Sequence, residues 1–356
     1  MAAAIRLSRR HLGLTSTNPS VGCIIVRDGI VLGAAVTARG GRPHAETQAL
    51  DAAGEAARGA TAYVTLEPCS HHGRTPPCVD ALIAAGVARV VIAVGDPDER
   101  VAGRGIERLS DAGITVEVGL LEAEARTALA AYLTRQTKKR PHVTLKLAVS
   151  ADGMLGRLGA GQVAITGPVS RGQVHVLRAE SDAILVGIGT ALADDPELTC
   201  RLPGLEDRSP LRIVLDPRLE LSVGSKLAQG AREVPVIVVA DAGAAPDREA
   251  FQRRREDLEA AGVEVLNADP RRLDVLLEAL ASRGISSLLV EGGARTAQSF
   301  LEAGLVDRLL LFHGPQTIGE GGVRSPFMAG APPPGFTLRG RARFGDDTLE
   351  DYERDD

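Results

Sequence analysis

A chain of 356 residues, 44% hydrophobic and 24% charged, is long enough for two globular domains with separate cores, which must be largely aliphatic because Trp is absent and aromatics total 3%. A net charge of −5 without aromatic-studded basic stripes excludes the usual nucleic-acid binder, and four scattered cysteines are too few for a disulfide framework. No apolar run approaches the roughly 18 residues of a membrane span, and the Arg-broken start "MAAAIRLSRRHLGL" has no signal-peptide core, so the cytoplasm is the expected compartment.

"VGCIIVRDG" and "IVLGAAVT" predict a hairpin turning at Asp28-Gly29. A helix over 44–58, the strand "ATAYVTL", and a helix in "PPCVDALIAAG" with prolines in its first turn and Gly86 at its end come next. "ARVVIAVG", a helix over 101–112, "ITVEVGLL" and a long helix over 122–137 complete an α/β series covered on both faces. The basic break "TKKRPH" places a domain boundary near Pro141, giving domains 1–140 and 141–356. A second α/β series runs through "HVTLKLAVSADG", "AILVG", "LRIVLD", "VPVIVVA", "SSLLVEGG" and "RLLLFHG", with helices near 168–180, 247–261, 271–283 and 294–303. The acidic tail "DDTLEDYERDD" is expected to fray.

The chemistry gathers in two places. His44-Ala45-Glu46 opens a helix, and Pro68-Cys69 follows a strand, as in the zinc deaminase pattern H-x-E…P-C-x-x-C. Cys78 lies nine positions after Cys69 rather than three, so "SHHGRTPP" must loop out to return its sulfur. Two thiolates and one imidazole leave zinc a fourth position for water, whose pKa the metal lowers toward neutrality, and Glu46 is placed to carry its proton to a leaving amine. A closed structural zinc, with His71 or His72 as fourth ligand, is the competing reading. In the second half, "VGIGT" and "VEGGART" are glycine turns at strand ends that can cradle a pyrophosphate, although neither is G-x-G-x-x-G. Arg178 and Arg201 are candidates for bidentate phosphate capture.

The "PHAE" loop, "LEPCSHHGRTPPC" and "DPDERVAGRG" together resemble the deaminase domain of the bifunctional riboflavin-biosynthesis deaminase–reductases, in which the long insert between the cysteines is characteristic. "KLAVSADG", "LRAESDAILVGIGTALADDPELTCR" and "LLVEGGARTAQSFLEAGLVD" resemble the reductase half of the same family, so the resemblance covers most of the chain. It implies a cytidine-deaminase-like α/β/α domain followed by a dihydrofolate-reductase-like α/β domain. It implies zinc on His44, Cys69 and Cys78, a proton shuttle at Glu46, a pyrimidine contact near Asn18, and phosphate or ribose contacts near His71, Arg74 and Asp96. Turn chemistry explains Asn18 and Asp96 equally well, and Asp98 stands where the family often has Asn. In the reductase half the resemblance implies NADPH contacts at Ala148, Thr190, Asp194 and the turn Gly293, Ala294, Arg295, Thr296, Ala297, Gln298 and Ser299. Substrate contacts fall at Arg178, Leu198, Arg201 and Glu291, with the arginines on the ribose phosphate. One stretch departs: "QVAIT" stands where the family commonly reads Ser-Gln-Trp-Ile-Thr, so Gln162 replaces a Ser and Ala164 an aromatic platform. The reaction implied is hydrolytic deamination of a diaminopyrimidine ribosyl phosphate, then NADPH reduction of its ribosyl group. A deaminase with a non-catalytic second domain and a nucleoside or tRNA deaminase are the alternatives. The expected partners are the small-molecule substrate and further copies of the chain, with no nucleic acid and no membrane.

Overall fold

Asp28 and Gly29 both adopt left-handed backbone, at φ 53° and 77°. That is the geometry of a tight two-residue hairpin turn, and it joins β1 (Gly22–Arg27) to β2 (Ile30–Val36). The computed structural model describes residues 1–355 apart from Arg74, Ala244 and 328–333. Its contacts divide the chain into two units, Met1–Arg140 and Pro141–Asp356.

The first unit begins with helix α1 (Ala2–Ser8) ahead of that hairpin. It continues through α2 (Ala45–Ala53), β3 (Thr61–Leu66), α3 (Cys78–Ala85), β4 (Arg89–Val94), α4 (Arg104–Asp111), β5 (Thr115–Val118) and α5 (Glu122–Lys138). The sheet order is β2-β1-β3-β4-β5; the hairpin pairs antiparallel with β3, while β3, β4 and β5 run parallel. Alternate strand residues Cys23, Ile25, Ala62, Val64, Val90 and Ile92 join Ala49, Leu82 and Leu129 of the helices in one core. The helix expected over 44–58 stops at Ala53, because Gly54 turns to φ 55° and residues Gly54–Ala57 continue only as a 3-10 turn. The prolines before α3 lie outside it, with Pro77 as its N-cap and left-handed Gly86 as its C-cap.

The second unit contains β6 (His142–Val149), β7 (Met154–Arg157), α6 (Pro168–Ala179), β8 (Ala183–Gly187), α7 (Ile188–Asp194), β9 (Leu211–Leu215) and α8 (Lys226–Gln229). After them come β10 (Val236–Ala240), α9 (Arg248–Ala261), β11 (Glu264–Asn267), α10 (Leu273–Ser282), β12 (Ser287–Val290), α11 (Ala294–Glu302) and β13 (Arg308–His313), then β14 (Gly322–Arg324), β15 (Phe336–Phe344) and β16 (Asp347–Arg354). Nine strands form one sheet in the order β11-β10-β9-β8-β12-β6-β13-β16-β15, and β7 pairs with β14 apart from it. Strands from β11 to β13 are parallel, and β16 and β15 add an antiparallel edge. Ala183 and Leu185 of β8 enter one core, Ile184 and Val186 the other, so apolar layers cover both faces of the central strands.

The expected fraying of the acidic tail is wrong. Residues 347–354 form β16, held between β13 and β15, because its acidic residues meet a basic neighbour on either side. Arg308 pairs with Asp351, Arg341 with Glu350 and Arg339 with Glu353, while Tyr352 turns into the core. Buried Asp347 accepts the Gly167 N–H (2.8 Å) and the Ser170 O–H (2.5 Å), capping the start of α6. Asp347→Ala therefore leaves two donors unsatisfied and is expected to lower the stability of the second unit by about 1–3 kcal/mol, read from denaturant unfolding. A loss under about 0.5 kcal/mol counts against the cap.

Candidate active site

α2 begins at Ala45, so His44, extended at φ −70° and ψ 160°, is its N-cap and projects its ring off the helix end. β3 ends at Leu66, and Glu67-Pro68-Cys69 carries the chain out of the sheet beside it. Cys78 starts α3, and the looped-out insert does return its sulfur: the donor atoms of His44, Cys69 and Cys78 lie within 4.8 Å of one another. His44 Nδ1 is 3.6 Å from Cys69 Sγ and 3.3 Å from Cys78 Sγ. One imidazole and two thiols converging this way are a zinc donor set with a place left for solvent. Donation from the Cys78 side chain, then from His44 and the Cys78 backbone N–H, holds the Cys69 thiol down to about 4 despite its burial. Glu46 is 4% exposed, and burial pushes its carboxyl above the ordinary carboxylate range. Among the described residues no cluster places His71 or His72 with these donors, so the closed four-ligand alternative is not supported.

Of the other expected contacts of this unit, Asn18 lies on the segment that enters β1, and His71 and Asp96 on those that leave β3 and β4. Asn18 Nδ2 donates to the Gly41 carbonyl at 2.8 Å, three residues before His44. Nδ1 of His71 is buried with no hydrogen-bond partner among the described residues, which leaves it available to a ligand. Arg74 lies outside the described residues. Asp96 is buried and pushed up to about 6 by desolvation, and its carboxylate accepts the Tyr132 hydroxyl at 3.0 and 3.1 Å and the Asp98 N–H at 2.9 Å. Only the bond from Asp98 is local turn chemistry; the bonds from Tyr132 fix the carboxylate from a helix 36 residues away. Asp98 is closed on Arg100, which holds it down to about 2.

In the second unit, parallel β8, β12 and β6 lie side by side, so Ala148, Gly187 and Glu291 emerge at one end of the sheet. The chain walks outward from β8 to β11 and then returns to place β12 on the other flank of β8. Such a reversal opens a crevice at the carboxyl ends of the strands. The stretch "VGIGT", read as a turn, enters helix α7 at once, and its start meets that of α11. Thr190 Oγ1 accepts the Gly293 N–H at 3.1 Å. A Cβ on Gly187 would stand 2.5 Å from Thr296 Oγ1, and one on Gly292 2.7 Å from Thr296 Cβ. Only glycine permits this approach, which brings two sets of helix-start N–H groups together and suits a dinucleotide's phosphates. Burial raises the Asp194 carboxyl at the far end of α7. Ala294, Arg295 and Thr296 occupy the first turn of α11; Ala297 is in the core, and Gln298 and Ser299 pair with Glu302 and the Arg295 carbonyl along the helix.

Arg178 does not present a free fork. Its guanidinium is bidentate on Glu291 at 2.8 and 3.0 Å and donates a third bond to the Thr199 carbonyl at 3.1 Å, with about a tenth of either side chain exposed. Although burial opposes it, Arg178 and Lys146 hold the Glu291 carboxyl below its usual range. Leu198 is buried yet left-handed at φ 56°, a strained position kept by its neighbours. Those neighbours include fully buried Arg212 on the Glu197 carbonyl and Ser209 on the Cys200 N–H. Arg201 is half exposed, with Nη1 on Glu197 at 3.0 Å. Gln162 and Ala164 are exposed, and neither side chain offers an aromatic surface. Lys146, half-buried with Nζ 5.7 Å from the Phe312 ring centre, was missed from sequence; a lone charge in the strand "VTLKLAV" was the signal.

Two family models divide the chain along the same lines. The cytidine and deoxycytidylate deaminase zinc-binding region matches residues 1–94, and the RibD C-terminal domain matches 141–349. With the geometry above, they define a bifunctional enzyme, a zinc-binding deaminase domain followed by a reductase domain. The riboflavin biosynthesis protein RibD of Aquifex aeolicus is 42% identical over 91% of this chain and 90% of its own length, and that of Escherichia coli 42% over 90% and 88%. Among solved structures, RibD of Acinetobacter baumannii (form 1) superposes with a TM-score of 0.86 at 36% identity over 100% of this chain and 98% of that one. The deaminase/reductase of Thermotoga maritima gives 0.86 at 33% identity over 99% and 97%. The chain belongs to the RibD family of riboflavin-biosynthesis enzymes.

Proposed function

We propose that the first unit hydrolytically deaminates 2,5-diamino-6-ribosylamino-4(3H)-pyrimidinone 5′-phosphate, and that the second reduces the product's ribosyl group with NADPH to give 5-amino-6-ribitylaminouracil 5′-phosphate. The observation that carries the first step is the convergence of His44, Cys69 and Cys78 within 4.8 Å beside buried Glu46. Those three residues would hold a zinc ion, which when bound supplies Lewis acidity to a water molecule. Glu46, with its affinity for a proton raised by burial, takes a proton from the attacking water and delivers it to the amino group that leaves as ammonia. Asn18 and His71 lie on the segments next to the donors and are assigned to the pyrimidine and its ribosyl phosphate.

In the second step the bond from C1′ to the ring oxygen would break as the anomeric N–H proton passes to that oxygen, leaving an imine at C1′; NADPH, when bound, would supply hydride to C1′, with a proton from solvent going to the imine nitrogen. The abutting starts of α7 and α11, with Thr190 and residues 293–296, are assigned to the cofactor's phosphates, and Ala148 at the end of β6 to the same cofactor. Arg201 remains exposed enough to take the ribose phosphate, whereas Arg178 acts through Glu291 by holding that carboxylate ionised and in place. Incubation of purified protein with the diaminopyrimidine phosphate tests both halves. Ammonia is released without NADPH, and NADPH is oxidised only once deaminated product has formed. Deamination with no NADPH oxidation assigns the second unit a non-catalytic role, the outcome that Ala164 makes worth measuring.

A further inference from the structure

Both cysteines are tied to a helix that carries no metal donor. Glu67, two positions before Cys69, is 4% exposed. Its carboxylate accepts the backbone N–H groups of Gly103 (3.1 Å), Gly105 (3.0 Å) and Ile106 (3.3 Å) at the start of α4, and that of Asp96 (3.2 Å). A buried carboxylate there satisfies donors that the helix leaves open and complements its dipole. The fit is close: a Cβ on Gly105 would lie 2.4 Å from the Pro68 carbonyl oxygen. From the next turn of α4, Arg108 reaches back with Nη1 on the Ser70 carbonyl (2.8 Å) and Nη2 on Asp80, in the first turn of α3. Cys69 is thus bracketed from both sides, and Cys78 is tied through Asp80. Inside the bracket the Cys78 N–H points at Cys69 Sγ (3.3 Å), and the Val79 N–H at the Cys69 carbonyl (3.3 Å).

We propose that α4, through Glu67 and Arg108, is a brace that fixes the separation of the two sulfurs and so sets how firmly the zinc is retained, an inference that rests on the deaminase reading above. Neither side chain reaches the donors, so both are positioning residues. The eight-residue insert "SHHGRTPP" between the cysteines would otherwise be free to let one sulfur drift from the other. Donors held in advance lose little freedom on binding, which is why partners beyond the ligands commonly govern metal affinity.

The test is the rate of zinc transfer from the holoprotein to a chromogenic chelator, with the visible bands of the cobalt-substituted protein as a second readout. Arg108→Lys keeps the charge but cannot fork between a carbonyl and a carboxylate. Glu67→Gln keeps the shape but turns an amide donor toward N–H groups. Each is expected to release zinc about tenfold faster or more, with altered cobalt bands. Arg89→Lys, which likewise keeps the charge but loses the two-pronged contact with exposed Glu117, is expected to match the wild type. Should Glu67→Gln not fold, Arg108→Lys and Asp80→Asn carry the test. Folded variants with wild-type release and unchanged bands overturn the brace alone. A wild-type protein that retains no zinc overturns the deaminase reading and the brace with it.

Discussion

Glu46→Gln is expected to keep its zinc while deamination slows by about 10²- to 10⁴-fold, the usual worth of a positioned proton carrier. The amide fills nearly the same volume in a site where Glu46 is 4% exposed, so α2 and the His44 cap are expected to survive the change. What the amide cannot do is accept a proton from water at one moment and give it up at the next. Reduction is expected to continue at the wild-type rate when the deaminated intermediate is supplied, since the residues assigned to it belong to the other compact unit. Metal analysis and separate assays of the two steps check the prediction. Loss of zinc from this variant would make Glu46 a ligand, and the proton-carrier role would fall.

Arg178→Met is expected to destabilise the second unit by about 3–5 kcal/mol, because it strands a buried carboxylate rather than deleting an ordinary surface pair. Glu291 loses two bonds at 2.8 and 3.0 Å, the Thr199 carbonyl loses a third, and Lys146 remains as the other cation acting on that carboxylate. The loop holding left-handed Leu198 then loses one of its fixed points, so KM for the reduction substrate is expected to rise with the loss of stability. Denaturant unfolding and steady-state reduction measure the two effects. The double variant Arg178→Met with Glu291→Gln is expected to recover much of the stability but not the reduction. A single variant within about 1 kcal/mol of wild type would show that the pair is not buried in solution.

The strands and helices with a clear period were legible in the sequence, as were the pieces of the first site, because zinc chemistry needs few residue types at restricted spacings. The hairpin at Asp28-Gly29, the cap at Gly86 and the break near Pro141 follow from local chemistry alone. The failures have a common physical origin in partners distant along the chain. "DDTLEDYERDD" looks disordered until "TLRGRARF" lies beside it and supplies the opposite charge. The pairing of Arg178 with Glu291, 113 positions on, is likewise invisible to any local pattern. Glu67 reads as a polar residue before a proline, and only the fold shows that it gathers four N–H groups.

The placement of β16 between β13 and β15 also bears on how the polypeptide is made. β13 takes one neighbour from residues 142–149 and the other from 347–354, so a chain emerging from the ribosome carries a bare edge on β13 until residues 347–354 appear. The sheet and core of residues 1–140 have no such wait. Translation that stalls before residue 347 would therefore leave a finished amino-group hydrolase attached to an unfinished partner, so the two activities are exposed unequally to interruption between β13 and β16.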